Sequence, residues 1–255
     1  MFRVVIPARY ASTRLPGKPL RLIAGRPMIH YVLDRAAAAG AAEVIVATDD
    51  ERIAASCRGY GADVELTSAS HATGTDRLAE VVARRGYPAG DIIVNLQGDE
   101  PLLASANVAQ VAALLAAVPA AAIATLATPL LLHEEFLDPN VVKVVRDAAG
   151  LALYFSRAPL PWPRDAATEP PGNPAWYAHA LRHVGIYAYR VAALRELAAL
   201  PPAPLEQCER LEQLRALENG LRIAVAVAAT APGPGVDTEA DLMRVAALLE
   251  VAAGG

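Results

Sequence analysis

Short apolar runs alternate with longer segments of helical periodicity through the first half of the chain. This alternation is typical of βαβ units, which build a mostly parallel sheet with helices on its faces. The predicted elements are, in chain order, strand Val4–Ile6, helix Pro27–Ala39, strand Val44–Ala47, helix Glu51–Arg58, strand Val64–Leu66, helix Thr75–Arg85 and strand Ile92–Leu96. The pattern therefore predicts an α/β fold with a mostly parallel central sheet flanked by helices.

The pattern changes after Pro139, where the stretch VVKVVRDAAGLALYFSR alternates on both sides of Asp147–Gly150. Two alternating runs around a turn sequence predict a β-hairpin, which would be an antiparallel element inserted into the fold. The proline-rich segment Ala158–Pro174 is predicted to be a loop. The remaining predicted elements are a strand at HALRHVGIYAYR, a helix Leu205–Asn219, a strand Ile223–Val227 and a final helix from Thr238, capped by the pair Thr238 and Asp241.

Composition limits the possible classes of function. The chain has 255 residues and a formal net charge of −4, with both signs mixed along it, which argues against nucleic-acid binding or a polybasic membrane surface. No apolar stretch reaches the roughly 18 residues that span a bilayer, and no signal peptide is expected. The two cysteines, Cys57 and Cys208, are too few for a disulfide framework. We therefore expect one cytoplasmic domain over residues 1–255, with no membrane insertion.

The loop PARYASTRLPGKPL, which follows the first strand, carries three cations to the edge of the sheet where open α/β folds bind ligands. It is not a P-loop, since Ser12 and Pro19 stand where that motif needs a glycine and a hydroxyl residue. The prolines around Gly17 and Lys18 restrict the backbone and would hold the lysine in place. Such a loop binds an anion or is a solvated basic segment, and the fixed lysine favours the anion.

Two carboxylates from distant segments could share a metal ion. Asp99 lies just after a predicted strand in NLQGDEP, and Asp237 lies in the glycine-rich turn GPGVDTEAD. In nucleotide enzymes Mg²⁺ binds one or two carboxylates together with substrate phosphates. The alternative for both residues is helix capping. The pattern therefore indicates a candidate magnesium site.

Two further stretches could contribute to the same site. In SHATGTDRLAE, the start of the predicted helix could hold an anion, with Arg77 in its first turn, whereas His71 is more typical of an ordinary surface or packed histidine. In LRHVGIYAYR, strand alternation places four residues on one face: His183, Gly185, Tyr187 and Tyr189. So polar a face lines a pocket or a subunit contact, and the sequence leaves both open.

Taken in this order, these stretches resemble the 3-deoxy-manno-octulosonate (KDO) cytidylyltransferases, or CMP-KDO synthetases, nearly end to end. The matching stretches are IPARYASTRLPGKPL, VATDD, TGTDRLAE, VNLQGDEP, NVVKVV, ALYFSRAPLPW, LRHVGIYAYR, PLEQCERLEQLRALENG and GVDTEADL. The resemblance implies a fold of the nucleotide-diphospho-sugar transferase type, a homodimer, and transfer of CMP from CTP to KDO for lipopolysaccharide biosynthesis. The main departure is the proline-rich insert RDAATEPPGNPAWYAHA, which leaves the loop and nearby subunit contacts open.

The resemblance also implies roles for individual residues. Those implied to contact the nucleotide are Arg9, Ser12, Lys18, Arg77 and Gln97. Asp99 and Asp237 would hold Mg²⁺ and, with Lys18, would form the catalytic set. Those implied to bind the octulosonate are Arg157, His183, Tyr187, Glu212 and Gln213. The region of residues 139–190 would carry the hairpin, the dimer contact and part of the sugar site.

The implied reaction is an in-line attack of the anomeric hydroxyl of KDO on the α-phosphorus of CTP. Positioning and charge neutralisation would supply most of the catalysis. No protein base is assigned, because a second magnesium could activate the hydroxyl, although His183 is the strongest candidate for a base. Two alternatives remain: a cytidylyltransferase for another acidic sugar, such as sialate or an amino-substituted octulosonate, and a catalytically inactive nucleotide-binding relative.

Overall fold

A computed structural model describes residues 1–11, 14–71, 73–164 and 173–253. The strands are β1 (Phe2–Ala8), β2 (Leu22–Ile23), β3 (Arg26–Pro27), β4 (Val44–Thr48), β5 (Asp63–Leu66), β6 (Ile92–Asn95), β7 (Ile123–Pro129), β8 (Lys143–Arg146), β9 (Ala152–Ser156), β10 (Leu181–Arg190) and β11 (Ile223–Val227). The α-helices are α1 (Met28–Ala37), α2 (Glu51–Gly59), α3 (Gly74–Arg84), α4 (Ser105–Ala117), α5 (His133–Leu137), α6 (Val191–Ala199), α7 (Pro204–Glu209), α8 (Gln213–Glu218) and α9 (Glu239–Ala253).

One mixed sheet organises the fold. Its strand order is β11-β7-β10-β6-β1-β4-β5, and the hairpin of β8 and β9 joins it through β8, which pairs with β10. The pairs of β1 with β4 and β6, of β4 with β5, and of β7 with β11 are parallel. In contrast, β10 runs antiparallel to β6 and β7. The predicted α/β architecture with an inserted antiparallel hairpin is confirmed.

Helices cover both faces of the sheet because its central strands are apolar on both sides. Val4 and Ile6 of β1 pack in one cluster with residues of α1 and α4, whereas Val5 packs in a second cluster with residues of α3 and α6. All three side chains are fully buried. A continuous apolar run is the expected sequence pattern for a parallel strand that is buried on both faces.

The region after α6 differs from the sequence prediction. A single helix over Leu205–Asn219 is wrong, since two short helices, α7 and α8, take its place. Arg210 lies between them with φ of 55°, a left-handed conformation that cannot continue a right-handed helix. The break places Glu212 and Gln213 at the start of α8, where both line a cavity next to the sheet.

The predicted cap of the last helix and the predicted hairpin turn are both present. The N–H of Thr238 donates to Asp241 Oδ2 at 3.0 Å and the N–H of Asp241 donates to Thr238 Oγ1 at 3.2 Å, which caps α9. The hairpin turn closes with the N–H of Gly150 donating to Asp147 O at 3.0 Å. The predicted proline-rich loop falls partly on residues 165–172, which lie outside the described residues. No helix in the described part of the chain is long and apolar enough to cross a membrane.

Candidate active site

A cavity of about 470 Å³ opens at the carboxyl ends of β1 and β6. Because these strands are parallel neighbours, the segments that follow them leave the sheet at the same edge. The lining comes from Ala8 and Arg9 at the end of β1, Gln97–Asp99 after β6, Thr73 and Gly74 at the start of α3, and Asp237 before α9. Sheet topology therefore brings the first loop, NLQGDEP and the last glycine-rich turn to one place.

Lys18 lies between the two carboxylates of this cavity. Its Nζ donates to Asp99 Oδ2 at 2.6 Å and to Asp237 Oδ1 at 2.8 Å, and its side chain is only 12% exposed. The short 3-10 helix Lys18–Leu20 carries the lysine, and it follows Gly17, whose φ of 65° suits glycine. A backbone hydrogen bond of 2.9 Å from Val236 N to Asp99 O holds the two carboxylate segments together.

Neither carboxylate caps a helix. α4 begins at Ser105, several residues after Asp99, and Thr238 with Asp241 provides the cap of α9. The Asp237 side chain is bound instead by Lys18 and by Arg14 Nη2, at 3.0 Å. The capping alternative considered from the sequence is therefore wrong for both residues.

The donor set at Asp99 and Asp237 fits a magnesium ion. The ammonium group of Lys18 contacts both carboxylates, so this position favours a cation. Carboxylate oxygens suit Mg²⁺, which takes its remaining ligands from water and phosphates. Within residues 1–11, 14–71, 73–164 and 173–253, no group of three or more His, Cys, Asp or Glu residues could hold a metal. An ion here would therefore be shared between the protein and a phosphate ligand.

Glu100 adds a partly buried acid next to Asp99. Burial, and then the negative charge of Asp99, raises the pKa of Glu100 to about 8. The carboxyl packs against Gly235, where a Cβ would lie 3.0 Å from Glu100 Oε1. The close packing brings the segment before Asp237 against NLQGDEP, and glycine permits that approach.

The start of α3 forms a second wall of the cavity. Thr73 and Asp76 form a capping box with reciprocal hydrogen bonds of 3.2 and 3.1 Å. Arg77, which lines the cavity, is only 4% exposed; it donates to Thr67 Oγ1 and, at 3.2 Å, to Asp49 Oδ2. Its charge is thus partly compensated by Asp49, a residue of VATDD without a predicted role.

Arg9 and Ser12 are the remaining residues that were predicted to contact the nucleotide. Arg9 is exposed and lines the cavity. His71 lines it too, and its Nε2 hydrogen-bonds to Glu80. Ser12, which was predicted to contact the nucleotide, lies outside the described residues. The predicted binding roles of Arg9, Lys18, Arg77 and Gln97 stay predictions.

A smaller cavity of about 60 Å³ adjoins the first, and Gln97 and Glu212 line both. Tyr187 and Gln213, two predicted sugar residues, also line the smaller cavity. Burial raises the pKa of Glu212, and Oε1 of this side chain is buried without a hydrogen-bond partner among the described residues. Because an unpaired buried oxygen is costly, this atom is available to accept a hydrogen bond from a ligand.

His183 lines neither cavity, but its ring contacts Tyr187, which lines the smaller one. Its ring contacts Phe155 edge to face, with centroids 5.1 Å apart, and lies 5.3 Å from the ring of Tyr187. Burial lowers the pKa of His183 to about 3, so the imidazole is neutral at ordinary pH. A ring with so low a pKa is a weak base, which counts against the role of general base considered from the sequence.

Arg157 lines neither cavity, because its guanidinium hydrogen-bonds to backbone carbonyls elsewhere. Its Nε donates to Glu209 O at 2.7 Å and its Nη1 to Pro139 O at 2.8 Å. Its own N–H donates to Glu209 Oε2 at 2.9 Å, and its carbonyl accepts from the buried Lys143 at 2.8 Å. The predicted sugar residue Arg157 is therefore not brought to the others in this structure, and its binding role stays a prediction.

The comparisons with known proteins agree on one family. A family model described as "Cytidylyltransferase" matches residues 3–223. The chain is 57% identical over 252 residues to a 3-deoxy-manno-octulosonate cytidylyltransferase of Cellvibrio japonicus, with 98% of each chain covered. It is 55% identical to the protein of the same name from Thioalkalivibrio sulfidiphilus, with 97% of this chain and 98% of the relative covered.

A solved structure agrees in sequence and fold. It is a CMP:2-keto-3-deoxy-manno-octonic acid synthetase in complex with CTP, with a TM-score of 0.88 and 43% identity, covering 99% of this chain and all of the other. Near-complete coverage by several relatives leaves no large part of the sequence unmatched. The chain belongs to the cytidylyltransferase family, within the group of the 3-deoxy-manno-octulosonate cytidylyltransferases.

Proposed function

We propose that this protein transfers CMP from CTP to 3-deoxy-manno-octulosonate, releasing pyrophosphate, with Mg²⁺ held by Asp99 and Asp237. The observation that carries the proposal is the contact of Lys18 with both carboxylates, inside a cavity large enough for a nucleotide. The high identity to named octulosonate enzymes supports the choice of sugar. The product would serve lipopolysaccharide biosynthesis.

The residues of the large cavity bind and orient the nucleotide. Arg9, Arg14 and Lys18 present positive charge to a triphosphate, and Arg77 adds a buried guanidinium at the start of α3. Positive groups fixed in place stabilise charge on the departing pyrophosphate without reorganising during the reaction. Magnesium, when bound, would supply additional charge neutralisation at the phosphates.

The residues of the small cavity would orient the sugar. Gln97 and Glu212 line both cavities and would therefore lie where the two substrates meet. The unpaired Oε1 of Glu212 accepts a hydroxyl hydrogen, while Tyr187 and Gln213 form the side walls. Holding the anomeric hydroxyl in line with the α-phosphorus is the main contribution of these groups.

We also propose a cytoplasmic homodimer. Exposed apolar side chains near α5 support a subunit contact: Leu131, Leu132 and Trp162 are 75%, 56% and 57% exposed. Large exposed apolar side chains in one region are typical of interaction surfaces. Analytical ultracentrifugation of the purified protein tests this part: a monomer at micromolar concentration would contradict it.

The function is tested by pyrophosphate release from CTP with KDO, with and without Mg²⁺, and with sialate and an amino-substituted octulosonate in place of KDO. We expect release to require Mg²⁺ and to be fastest with KDO. A strong preference for sialate would replace the proposed sugar, and no release with any sugar would support an inactive relative.

The metal assignment makes a separate prediction. Asp99→Asn removes one of the two carboxylate charges and should lower kcat by about 100-fold or more. Asp63→Asn is a suitable control, because Asp63 lies on the edge strand β5 and binds Arg85. The kcat of this variant should be unchanged. Full magnesium-dependent activity in Asp99→Asn would contradict the assignment.

A further inference from the structure

Thr125 of β7 lies at an irregularity in the neighbouring strand β10. Val184 pairs with Leu126, but the next paired residue on β10 is Tyr187, opposite Thr125. Gly185 and Ile186 therefore form a bulge beside Thr125, whose side chain is fully buried. A bulge leaves backbone carbonyls outside the regular ladder, and these need other hydrogen-bond donors.

The hydroxyl of Thr125 contacts three polar atoms at hydrogen-bond distance. Its Oγ1 is 2.7 Å from Ile186 O, 3.1 Å from Val184 O and 2.9 Å from His183 Nε2. A hydroxyl has one proton, and the two carbonyls can only accept. If that proton went to Nε2, the lone pairs of Oγ1 would face two buried carbonyl oxygens.

The consistent arrangement has the hydroxyl donating to the carbonyls and His183 Nε2–H donating to Oγ1. The second ring nitrogen, Nδ1, then carries a lone pair. No group of the described residues hydrogen-bonds to Nδ1. The ring is held between Phe155 and Tyr187, and Tyr187 lines the small cavity.

We infer that Thr125 is a positioning residue, which fixes the Nε2–H tautomer of His183 and leaves Nδ1 as an acceptor for a hydroxyl of the sugar. The second half of this inference rests on the proposed function. A neutral acceptor selects a donor hydroxyl, and it excludes the sugar carboxylate as the direct partner of His183. The tautomer of a ring is set by the hydrogen bond that its other nitrogen makes.

Nitrogen-15 NMR of histidine-labelled protein tests the tautomer directly. The protein has five histidines, and comparison with His183→Asn identifies the signal of His183. We expect a protonated Nε2 and an unprotonated Nδ1 in the wild-type protein. The opposite tautomer, or an even mixture, overturns the inference without any variant at position 125.

Variants at Thr125 extend the same measurement. Thr125→Val keeps the shape and removes the hydroxyl, so we expect the single tautomer to be lost, whereas Thr125→Ser should retain it. Thr128→Val is the matched control, since Thr128 is a partly exposed threonine of the same strand and should leave the His183 signal unchanged. A wild-type signal in a folded Thr125→Val protein would also overturn the inference.

Kinetic measurements test separately whether the tautomer of His183 matters for binding the sugar. Thr125→Val should raise KM for KDO about tenfold, the value of one hydrogen bond, with KM for CTP unchanged and with rescue by Thr125→Ser. A changed tautomer with an unchanged KM for KDO would leave Thr125 as the residue that orients His183 but would remove His183 from sugar binding. Failure of CTP-dependent release altogether would instead count against the proposed function.

Discussion

At the scale of single residues, His183 shows how burial changes the chemistry that a residue type suggests. From sequence alone a histidine on a polar strand face is a candidate base, because an ordinary imidazole titrates near neutral pH. In the folded protein, burial lowers the pKa of His183 to about 3. The ring accepts or donates hydrogen bonds in its neutral form but gains no proton at the pH of the cell.

The lowered pKa of His183 predicts a loss of stability in acid. The unfolded chain takes up a proton near pH 6.5, whereas the folded chain does so only near pH 3, so the free energy of unfolding falls as pH decreases between these values. The contribution lost between pH 7 and pH 5 is about 2 kcal/mol. Urea unfolding of His183→Asn should show a correspondingly flatter pH dependence.

A control for this measurement is His179→Asn, in which an exposed histidine is replaced. It should keep the slope of the wild-type protein between pH 5 and pH 7. An identical slope for His183→Asn and the wild-type protein would mean that His183 titrates normally in the folded state, and its neutrality would then be in doubt.

At the scale of elements, the close approach of the segment after β6 to β1 places Asp99. A Cβ on Gly98 would lie 3.1 Å from Pro7 O and 3.3 Å from Ile29 Cδ1. A backbone oxygen cannot move aside as the end of a flexible side chain can. Gly98→Ala should therefore lower the free energy of unfolding by about 1–3 kcal/mol and lower kcat by about tenfold or more, because Asp99 is displaced.

Gly59→Ala is the matched glycine control for that prediction. Gly59 is the last residue of α2 and a Cβ there meets nothing within 4 Å. The substitution should leave kcat unchanged and should raise the free energy of unfolding by up to about 1 kcal/mol. Equal stability and activity of Gly98→Ala and Gly59→Ala would show that β1 and the NLQGDEP segment can separate freely.

The buried Lys143 links the hairpin to the segment that precedes it through hydrogen bonds. Lys143 Nζ donates to Asp138 O, Val141 O and Arg157 O at 2.9, 2.6 and 2.8 Å, and the side chain is fully buried. Lys143→Met would leave these carbonyls without their donor, at a cost of about 2–4 kcal/mol in the free energy of unfolding. Thermal or urea unfolding measures this loss.

The control for Lys143→Met lies on the same strand. Arg146 donates to a single carbonyl, Val225 O, at 2.7 Å, and is exposed. Arg146→Met should cost no more than about 1 kcal/mol. Similar losses in the two variants would mean that the three carbonyls around Lys143 find water or other donors when the ammonium is removed.

Strong periodicity or clear end signals predict the strands β1, β4, β5, β6 and β11 and the helices α1, α2, α3 and α9. Val4–Ile6 and Ile92–Val94 are uninterrupted apolar runs, and Thr238 with Asp241 caps the last helix. The break at Arg210 could not be predicted, since arginine favours helices and its left-handed conformation depends on tertiary packing. The bulge beside Thr125 has one sequence signal, Gly185, because a glycine inside a strand often marks a bulge, but its position opposite Thr125 depends on the pairing of two distant strands.

Some residues of the candidate site and its surroundings could be predicted from the sequence, and others could not. Lys18, Asp99 and Asp237 could be proposed from the sequence because charged residues follow strands and precede a helix in loops with glycine and proline. Asp49, Thr125 and Lys143 could not, since each acts through a side chain that the fold brings to it across the sheet or the hairpin. Residues that hold other residues in place have no sequence pattern of their own.

At the scale of the whole molecule, the site joins three distant parts of the chain. Lys18 is 81 residues from Asp99 and 219 residues from Asp237, yet its ammonium contacts both. Although burial disfavours its charge, the two carboxylates raise the pKa of Lys18, so it remains a cation. The lysine neutralises the same carboxylates that would hold Mg²⁺, and a triphosphate would attract it away from them.

This competition predicts that removing Lys18 strengthens metal binding while it weakens catalysis. Lys18→Gln should bind Mn²⁺ more tightly than the wild-type protein when no nucleotide is present, by about tenfold, because two carboxylates lose their counter-charge. The same variant should lose most of its turnover, since the proposed contact of Lys18 with the phosphates is gone. Electron paramagnetic resonance of free Mn²⁺ measures the first effect, and Arg21→Gln, which breaks the exposed pair of Arg21 with Glu239, is the control. Unchanged or weaker Mn²⁺ binding in Lys18→Gln would show that lysine and metal do not compete for Asp99 and Asp237.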